Sequence, residues 1–215
     1  MPDLAAERLD YSGEQLLESE VPADPYALFE RWLAAAFQAK ADGLLPEPTA
    51  MVVATSAGDR PSARTVLLKE FGPEGFTFFT NYGSRKGGEL NRNPQVALHF
   101  GWYPLQRQVR VEGTAAPLLR AESEAYFASR PRGSQLGAWA SPQSFEVDSR
   151  EELDASYAAV EQRFAGQDVP CPDHWGGLRV TAMTIEFWQG QSSRMHDRLA
   201  YRRRADAWSM HRLAP

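Results

Sequence analysis

At 215 residues, 43% of them apolar and 24% charged, the chain has the composition of a globular protein long enough to bury a core. A net charge of −5 argues against a general nucleic-acid binder, and the lone cysteine, Cys171, excludes an internal disulfide. No stretch has the apolar length of a membrane span and no basic, apolar leader is visible, so a soluble cytoplasmic protein is expected.

Residues 1–24 are acidic and aperiodic and read as a mobile arm, leaving 25–215 as a single domain. A helix then opens with Asp24 as N-cap and Pro25 at its first position, and Gly43 closes it. Phe29, Trp32, Leu33, Ala36 and Phe37 form its apolar face. Five strand signals follow: TAMVVAT, ARTVLLKEF, GFTFFTN, QVALHFGW and RQVRVEGTAAPL. The turn-rich connections SAGDRP and GPEG suit hairpins, and a short helix capped by Ser84 is expected in SRKGGELNRN. Residues 120–140 read as helical with a break at Pro131, and Ser149 with Glu152 forms a capping-box signature for a further helix. That helix carries Leu153, Tyr157, Val160 and Phe164 on its core face, and three strands, LRVTAMTIEFWQG, RMHDRLAYRRR and AWSMHRL, end the chain. The fold class is mainly β with peripheral α-helices, an antiparallel barrel rather than a parallel sheet.

The dinucleotide, P-loop, serine-hydrolase and zinc-protease signatures are all absent, so no metal site is expected. The chain has twenty arginines but only three lysines, Lys40, Lys69 and Lys86, and two of these lie in candidate anion sites. In RTVLLK, Arg64 and Lys69 face opposite sides of a regular strand, so they serve two anions or simply mark the strand ends. In GSRK, Arg85 and Lys86 flank a helix N-terminus, whose free N–H groups attract phosphate; the competing reading is a solvated turn. Tyr126, Arg130 and Ser134 recur at four-residue spacing and make a candidate phosphate cradle, although such spacing is common by chance. In an extended RMHDR, Arg194, His196 and Arg198 share one face. The neighbouring Leu199, Tyr201, Trp208 and Leu213 anchor this segment in the fold, which makes it a pocket wall and not a nucleic-acid tail. His99 and His211 read as structural, and His174 as a loop residue.

Taken together, RTVLLK, GSRK, RQV, YFASRPRGSQLGAW with PQS behind it, EFWQG, RMHDR and the terminal HRLAP closely resemble the pyridoxine (pyridoxamine) 5′-phosphate oxidase family. The resemblance runs from about Arg8 to Pro215. It implies an FMN-binding split β-barrel, assembled as a homodimer with FMN in clefts between the subunits. Arg64, Arg85 and Lys86 would hold the FMN phosphate, with Gln143 and Ser144 beside it. Thr65, Val66, Leu67, Leu68, Lys69, Phe79 and Thr80 would run along the flavin, and Gln108, Trp188 and Arg198 would complete its site. Lys69, Tyr126, Arg130 and Ser134 would grip the substrate's 5′-phosphate, separately from the phosphate of FMN. Arg194 and His196 would carry the catalytic contacts to the pyridine ring, with Met195 between them, and Arg8 and Tyr11 would fold over it as a lid.

The reaction so implied is oxidation at C4′ of pyridoxamine 5′-phosphate or pyridoxine 5′-phosphate to give pyridoxal 5′-phosphate, with O2 reduced to H2O2. The partners are these small molecules and a second copy of the chain, with neither nucleic acid nor membrane. Two alternatives stand beside it: a same-family flavin oxidase for another substrate of the phenazine type, and a non-catalytic protein that binds FMN or pyridoxal phosphate.

Overall fold

The computed structural model describes residues 3–6, 9–205 and 207–215, which places Arg8, one half of the expected lid, outside the described residues. Helix α1 (Pro25–Ala41) is followed by β1 (Ala50–Ala57), β2 (Arg60–Leu67), β3 (Glu70–Gly72) and β4 (Gly75–Asn81). After α2 (Arg85–Arg92) come β5 (Gln95–Trp102) and β6 (Arg107–Pro117), then α3 (Arg120–Ala128), α4 (Arg132–Ala140) and α5 (Arg150–Arg163). The chain closes with β7 (Trp175–Gln189), β8 (Asp197–Arg204) and β9 (Ala207–Arg212). Among the described residues no helix is long and apolar enough to cross a membrane.

Every strand pairing is antiparallel, and the nine strands form one sheet in the order β2-β1-β5-β6-β7-β4-β3, with β8 and β9 branching from β7. The expected barrel is therefore split: among the described residues β2 and β3 end the path and do not pair with each other, so the sheet does not close. Strand β7 makes the branch, because its residues 175–180 pair with β4 and its residues 184–189 with β8. The register of β6 on β7 shifts between these halves, at Glu112/Gly113. A side chain at Gly113 would run into the Thr181 carbonyl, so the bulge requires glycine.

The two ends of α1 follow from local chemistry: the Asp24 carboxylate accepts from Tyr26 N at 3.0 Å, and Gly43 takes φ 76°. Phe29, Trp32, Leu33 and Ala36 are buried as their spacing predicts. Phe37 is not, being 46% exposed; one residue beyond Ala36 it has turned past the edge of the apolar stripe. Phe29 meets Phe71, Phe76 and Phe100 at ring separations of 4.9–5.1 Å, and Trp32 meets Phe187 at 5.2 Å. The helix thereby covers the apolar face of β5–β8, where Leu98, Val109, Val111, Ile185 and Leu199 are buried. A smaller core of Phe127, Leu136, Phe164, Val169 and Trp175 joins α3 and α4 to the start of β7. Helix α5 packs on this second core as its spacing predicts, through half-buried Tyr157 and Val160 and through buried Phe164 at its C-terminal cap.

Two expected elements are divided. ARTVLLKEF forms two strands, because after Leu67 the chain leaves β1 and pairs with β4, Lys69 N donating to Thr77 O. RMHDRLAYRRR enters its strand only at Asp197, since Ser192–Arg194 make a 3-10 turn with Ser193 and Arg194 at φ 55° and 61°. Both breaks defeat the alternation of faces that a continuous strand imposes. The N-terminal segment is docked from Tyr11 onward. Leu16 is buried and its N–H donates to Asp197, while Arg212 pairs with Glu18 at 2.7 Å and with Asp197 at 2.6 Å.

Candidate active site

A cavity of about 490 Å³ opens where β2, β4, α2 and the α3–α4 junction meet. Arg64, Thr65, Val66, Leu67, Lys69, Phe79, Thr80, Lys86, Tyr126, Arg130, Ser134 and Gln143, all named from the sequence, line it. Asn81, Pro131 and Trp175 line it too and were not anticipated. The lining contains four cations, Arg64, Lys69, Lys86 and Arg130, and no carboxylate. Strand parity separates Arg64 from Lys69, yet both border this one cavity because the strand breaks between them.

Its first cationic group is built on α2. Ser84 caps the helix by accepting from Gly87 N, and Gly87 packs so closely on the Tyr82 backbone that no side chain fits there. Lys86 is buried and donates to Thr80 Oγ1 at 2.9 Å, Ser84 Oγ at 3.3 Å and Gln143 Oε1 at 2.7 Å. Burial, reinforced by the Arg64 charge, pulls its ammonium down to about 8. Arg64 donates to Val53 O, Thr55 Oγ1, Ser62 Oγ and Glu89.

The second group comes from α3 and α4. Pro131 ends the helical run between Arg130 and Ser134, as expected. Arg130 sits over the Trp175 ring at 4.6 Å, and among the described residues its buried Nη1 has no hydrogen-bond partner. Tyr126 stacks on Phe79 at 3.8 Å and lies parallel to Trp175. A buried guanidinium nitrogen without an acceptor is costly, and an anion in this cavity would satisfy it. Trp175 eluded the sequence reading because a tryptophan just after a Cys-Pro loop reads as core; its place beneath Arg130 is a tertiary fact.

Some expected residues stand away from this lining. The Leu68 side chain turns into the core, Ser144 is exposed at φ 76°, and the Arg85 side chain is 62% exposed and bound to Glu89. The remainder gather elsewhere on the chain. Gln108, Trp188 and Arg198 are direct neighbours across β6, β7 and β8. Gln108 is hydrogen-bonded to His99 at 3.0 Å, which gives that histidine a neighbour in the site that the sequence did not suggest. Arg198 is held by both oxygens of buried Glu186, at 2.9 and 3.2 Å, and by Ala214 O at 2.7 Å.

Trp188 leads to a second cavity, of about 460 Å³, lined by Leu9, Asp10, Tyr11, Gln191, Ser193, Arg194 and His196. Tyr11 packs edge-on against Trp188 and His196 at 5.7 and 5.5 Å. Gln191 N donates to His196 Nδ1 at 3.1 Å, which leaves the ring proton on Nε2, available to donate. Arg194 and Met195 project outward, Met195 being 68% exposed. Left-handed backbone at Ser193 and Arg194, two residues with side chains, costs on the order of 1 kcal/mol apiece. No residue lines both cavities.

Residues 37–164 match the family profile described as pyridoxamine 5′-phosphate oxidase. The chain belongs to the pyridoxamine 5′-phosphate oxidase family. Residues 175–215 match a second profile of this oxidase group, described as the pyridoxine 5′-phosphate oxidase C-terminal dimerisation region. A pyridoxine/pyridoxamine 5′-phosphate oxidase of Rubrobacter xylanophilus is 54% identical over 99% of this chain and 97% of its own. One of the same name from Acaryochloris marina is 53% identical over 97% and 94%. Among solved structures, PhzG from Burkholderia lata 383, in complex with tetrahydrophenazine-1-carboxylic acid, superposes with TM-score 0.86 at 31% identity, over 95% of this chain and 100% of that one. A related FMN-binding protein from Nostoc punctiforme shares the oxidase-family fold, with TM-score 0.69 at 14% identity over 91% of this chain and 100% of its own.

Proposed function

We propose that this oxidase uses FMN to convert pyridoxamine 5′-phosphate and pyridoxine 5′-phosphate to pyridoxal 5′-phosphate, with O2 reduced to H2O2. One observation carries the reading: a single cavity holds two separately built cationic groups, one for each of two phosphates. Arg64 and Lys86, with Gln143 and the α2 N-terminus, suit the phosphate of FMN. Lys69, Tyr126, Arg130 and Ser134 suit that of the substrate, whose phosphate oxygens would accept from the orphaned Arg130 Nη1. The relatives at 53–54% identity carry the corresponding name. A cytoplasmic location belongs to the same reading, supported by the free Cys171.

When bound, FMN would supply the redox chemistry, a two-electron oxidation at C4′ coupled to reduction of O2. The chain fixes where that happens. Lys69 and Arg130 anchor the substrate phosphate, and the stacked Phe79 and Tyr126 rings form a flat apolar wall that excludes water. His196 donates from Nε2 to the oxygen of the pyridine hydroxyl and orients the ring. Arg194 stabilises charge that develops during transfer. Tyr11, Arg194 and His196 reach the cationic cavity from a second copy of the chain in a homodimer, which residues 175–215 help to build. The likeness to PhzG favours a second reading, oxidation of a tricyclic carboxylate.

Substrates with and without phosphate separate these readings. Pyridoxamine should have a kcat/KM at least about 100-fold below that of pyridoxamine 5′-phosphate, since it forgoes charge-assisted contacts at both Lys69 and Arg130. Equal steady-state rates for the two would remove the phosphate grip from the account.

FMN affinity should also depend on Lys86. The phosphate carries its second charge above about pH 6, and Lys86 keeps its own below about 8, so binding is tightest between them. It weakens as pH rises through 8, and Lys86→Met abolishes that weakening; fluorescence titration across pH measures both. The sign for folding is opposite. The unfolded chain holds this proton up to the ordinary 10.5, so the group's contribution to stability of the flavin-free protein rises between about 8 and 10.5.

A further inference from the structure

We infer that Glu89 is a positioning residue for the cofactor phosphate: its buried carboxylate locks the Arg64 guanidinium at the cavity and ties the strand pair β1–β2 to α2. The inference rests on the FMN reading above and assigns a role to a residue outside the cavity lining. Glu89 is 3% exposed, and burying a carboxylate is unfavourable unless partners surround it. Four do. Its Oε2 accepts from Thr55 Oγ1 at 2.5 Å, Ser62 Oγ at 2.6 Å and Arg64 Nη2 at 3.1 Å, and its Oε1 from Arg85 Nε at 2.8 Å.

The two hydroxyls relay this hold. Each donates its proton to Glu89, so its lone pairs face outward and accept from Arg64: Nη1 bonds Thr55 Oγ1 at 2.6 Å and Nη2 bonds Ser62 Oγ. Val53 O takes a further Nη1 proton at 3.1 Å. Arg64 is thus fixed on its terminal nitrogens, and among the described residues its Nε–H has no acceptor, which leaves that edge for an anion. Burial alone would push the Glu89 carboxyl up, but the bonds from Ser62, Thr55, Arg85 and Arg64 outweigh it and hold the group at about 2, ionised at every working pH.

Within its own helix Glu89 serves only the i,i+4 pair with exposed Arg85, which needs no burial. Glu89 is five positions into α2, beyond the first turn where an acid would complement the helix dipole. Its partners lie instead on β1, β2 and the start of α2.

The test compares two flavins on the full-length protein stripped of flavin. FMN carries the phosphate and riboflavin has the same ring without it. For Glu89→Gln, we expect FMN binding, read by flavin fluorescence, to weaken by about 10-fold or more while riboflavin binding stays put. Unchanged or tighter FMN binding would overturn the inference, showing that the carboxylate competes with the phosphate. Equal losses for both flavins would also overturn it, by reducing Glu89 to general scaffolding. If Glu89→Gln does not fold, Ser62→Ala removes one relay without stranding a charge and should show a smaller, FMN-selective loss; its absence counts against the inference. Failure of the cofactor reading is seen separately, as a parent protein that binds FMN no better than riboflavin.

Discussion

Arg194→Leu should load FMN as the parent does and lose at least about 100-fold in turnover, the usual scale for removing one preorganised charge-stabilising group. FMN loading is spared because Arg194 lines a different cavity from Arg64 and Lys86. The larger consequence concerns which subunit supplies it. Arg194 projects outward on strained backbone and does not border the cationic cavity of its own chain. Mixed dimers of an Arg194→Leu chain and an Arg130→Leu chain should therefore regain one intact site. With random pairing, half the dimers are mixed, and activity assayed at substrate well below the raised KM of Arg130→Leu recovers to about a quarter of the parent level, above that of either variant alone. Near-normal turnover in Arg194→Leu would remove its role, and no recovery on mixing would place both residues in one subunit's site.

Arg130→Leu should raise the KM for pyridoxamine 5′-phosphate by about 10- to 150-fold and leave FMN affinity within about 2-fold of the parent. The orphaned Nη1 is the reason for so large an effect: a buried cation awaiting an acceptor contributes more than one already paired. Leucine also gives up the cation–π contacts that the guanidinium makes with Trp175 and Phe127, so the unchanged FMN affinity is the control for disturbed packing. Lys69→Ala should shift KM in the same direction. Loss of FMN affinity with substrate KM unchanged would show that the two phosphate grips were assigned the wrong way round.

Features decided within a few residues could be read before any coordinates. Asp24 followed by Pro25, Ser84 ahead of Arg85 and Pro131 between α3 and α4 each mark an element boundary by capping or by a missing N–H. The antiparallel class followed from hairpin-length connections. Features set by distant partners could not be read this way. Lys69 joins the same cavity as Arg64 only because the chain switches from β1 to β4 after Leu67. Arg194 leaves its strand because two residues with side chains accept left-handed backbone, which no local pattern announces. Glu89 looks like one more acid on a polar helix until Thr55, Ser62 and Arg64 are brought to it. The division of the expected site into two cavities on one chain is likewise a property of the folded sheet, since Arg194 and Arg130 are separated by the whole of β7.

The most direct test of the central claim is an anaerobic titration of the FMN-loaded protein with pyridoxamine 5′-phosphate, followed by the flavin absorbance. Bleaching of the oxidised flavin band with each addition, reversed when oxygen is admitted and accompanied by pyridoxal 5′-phosphate, is the predicted result. A flavin spectrum that stays unchanged while FMN remains bound would contradict it.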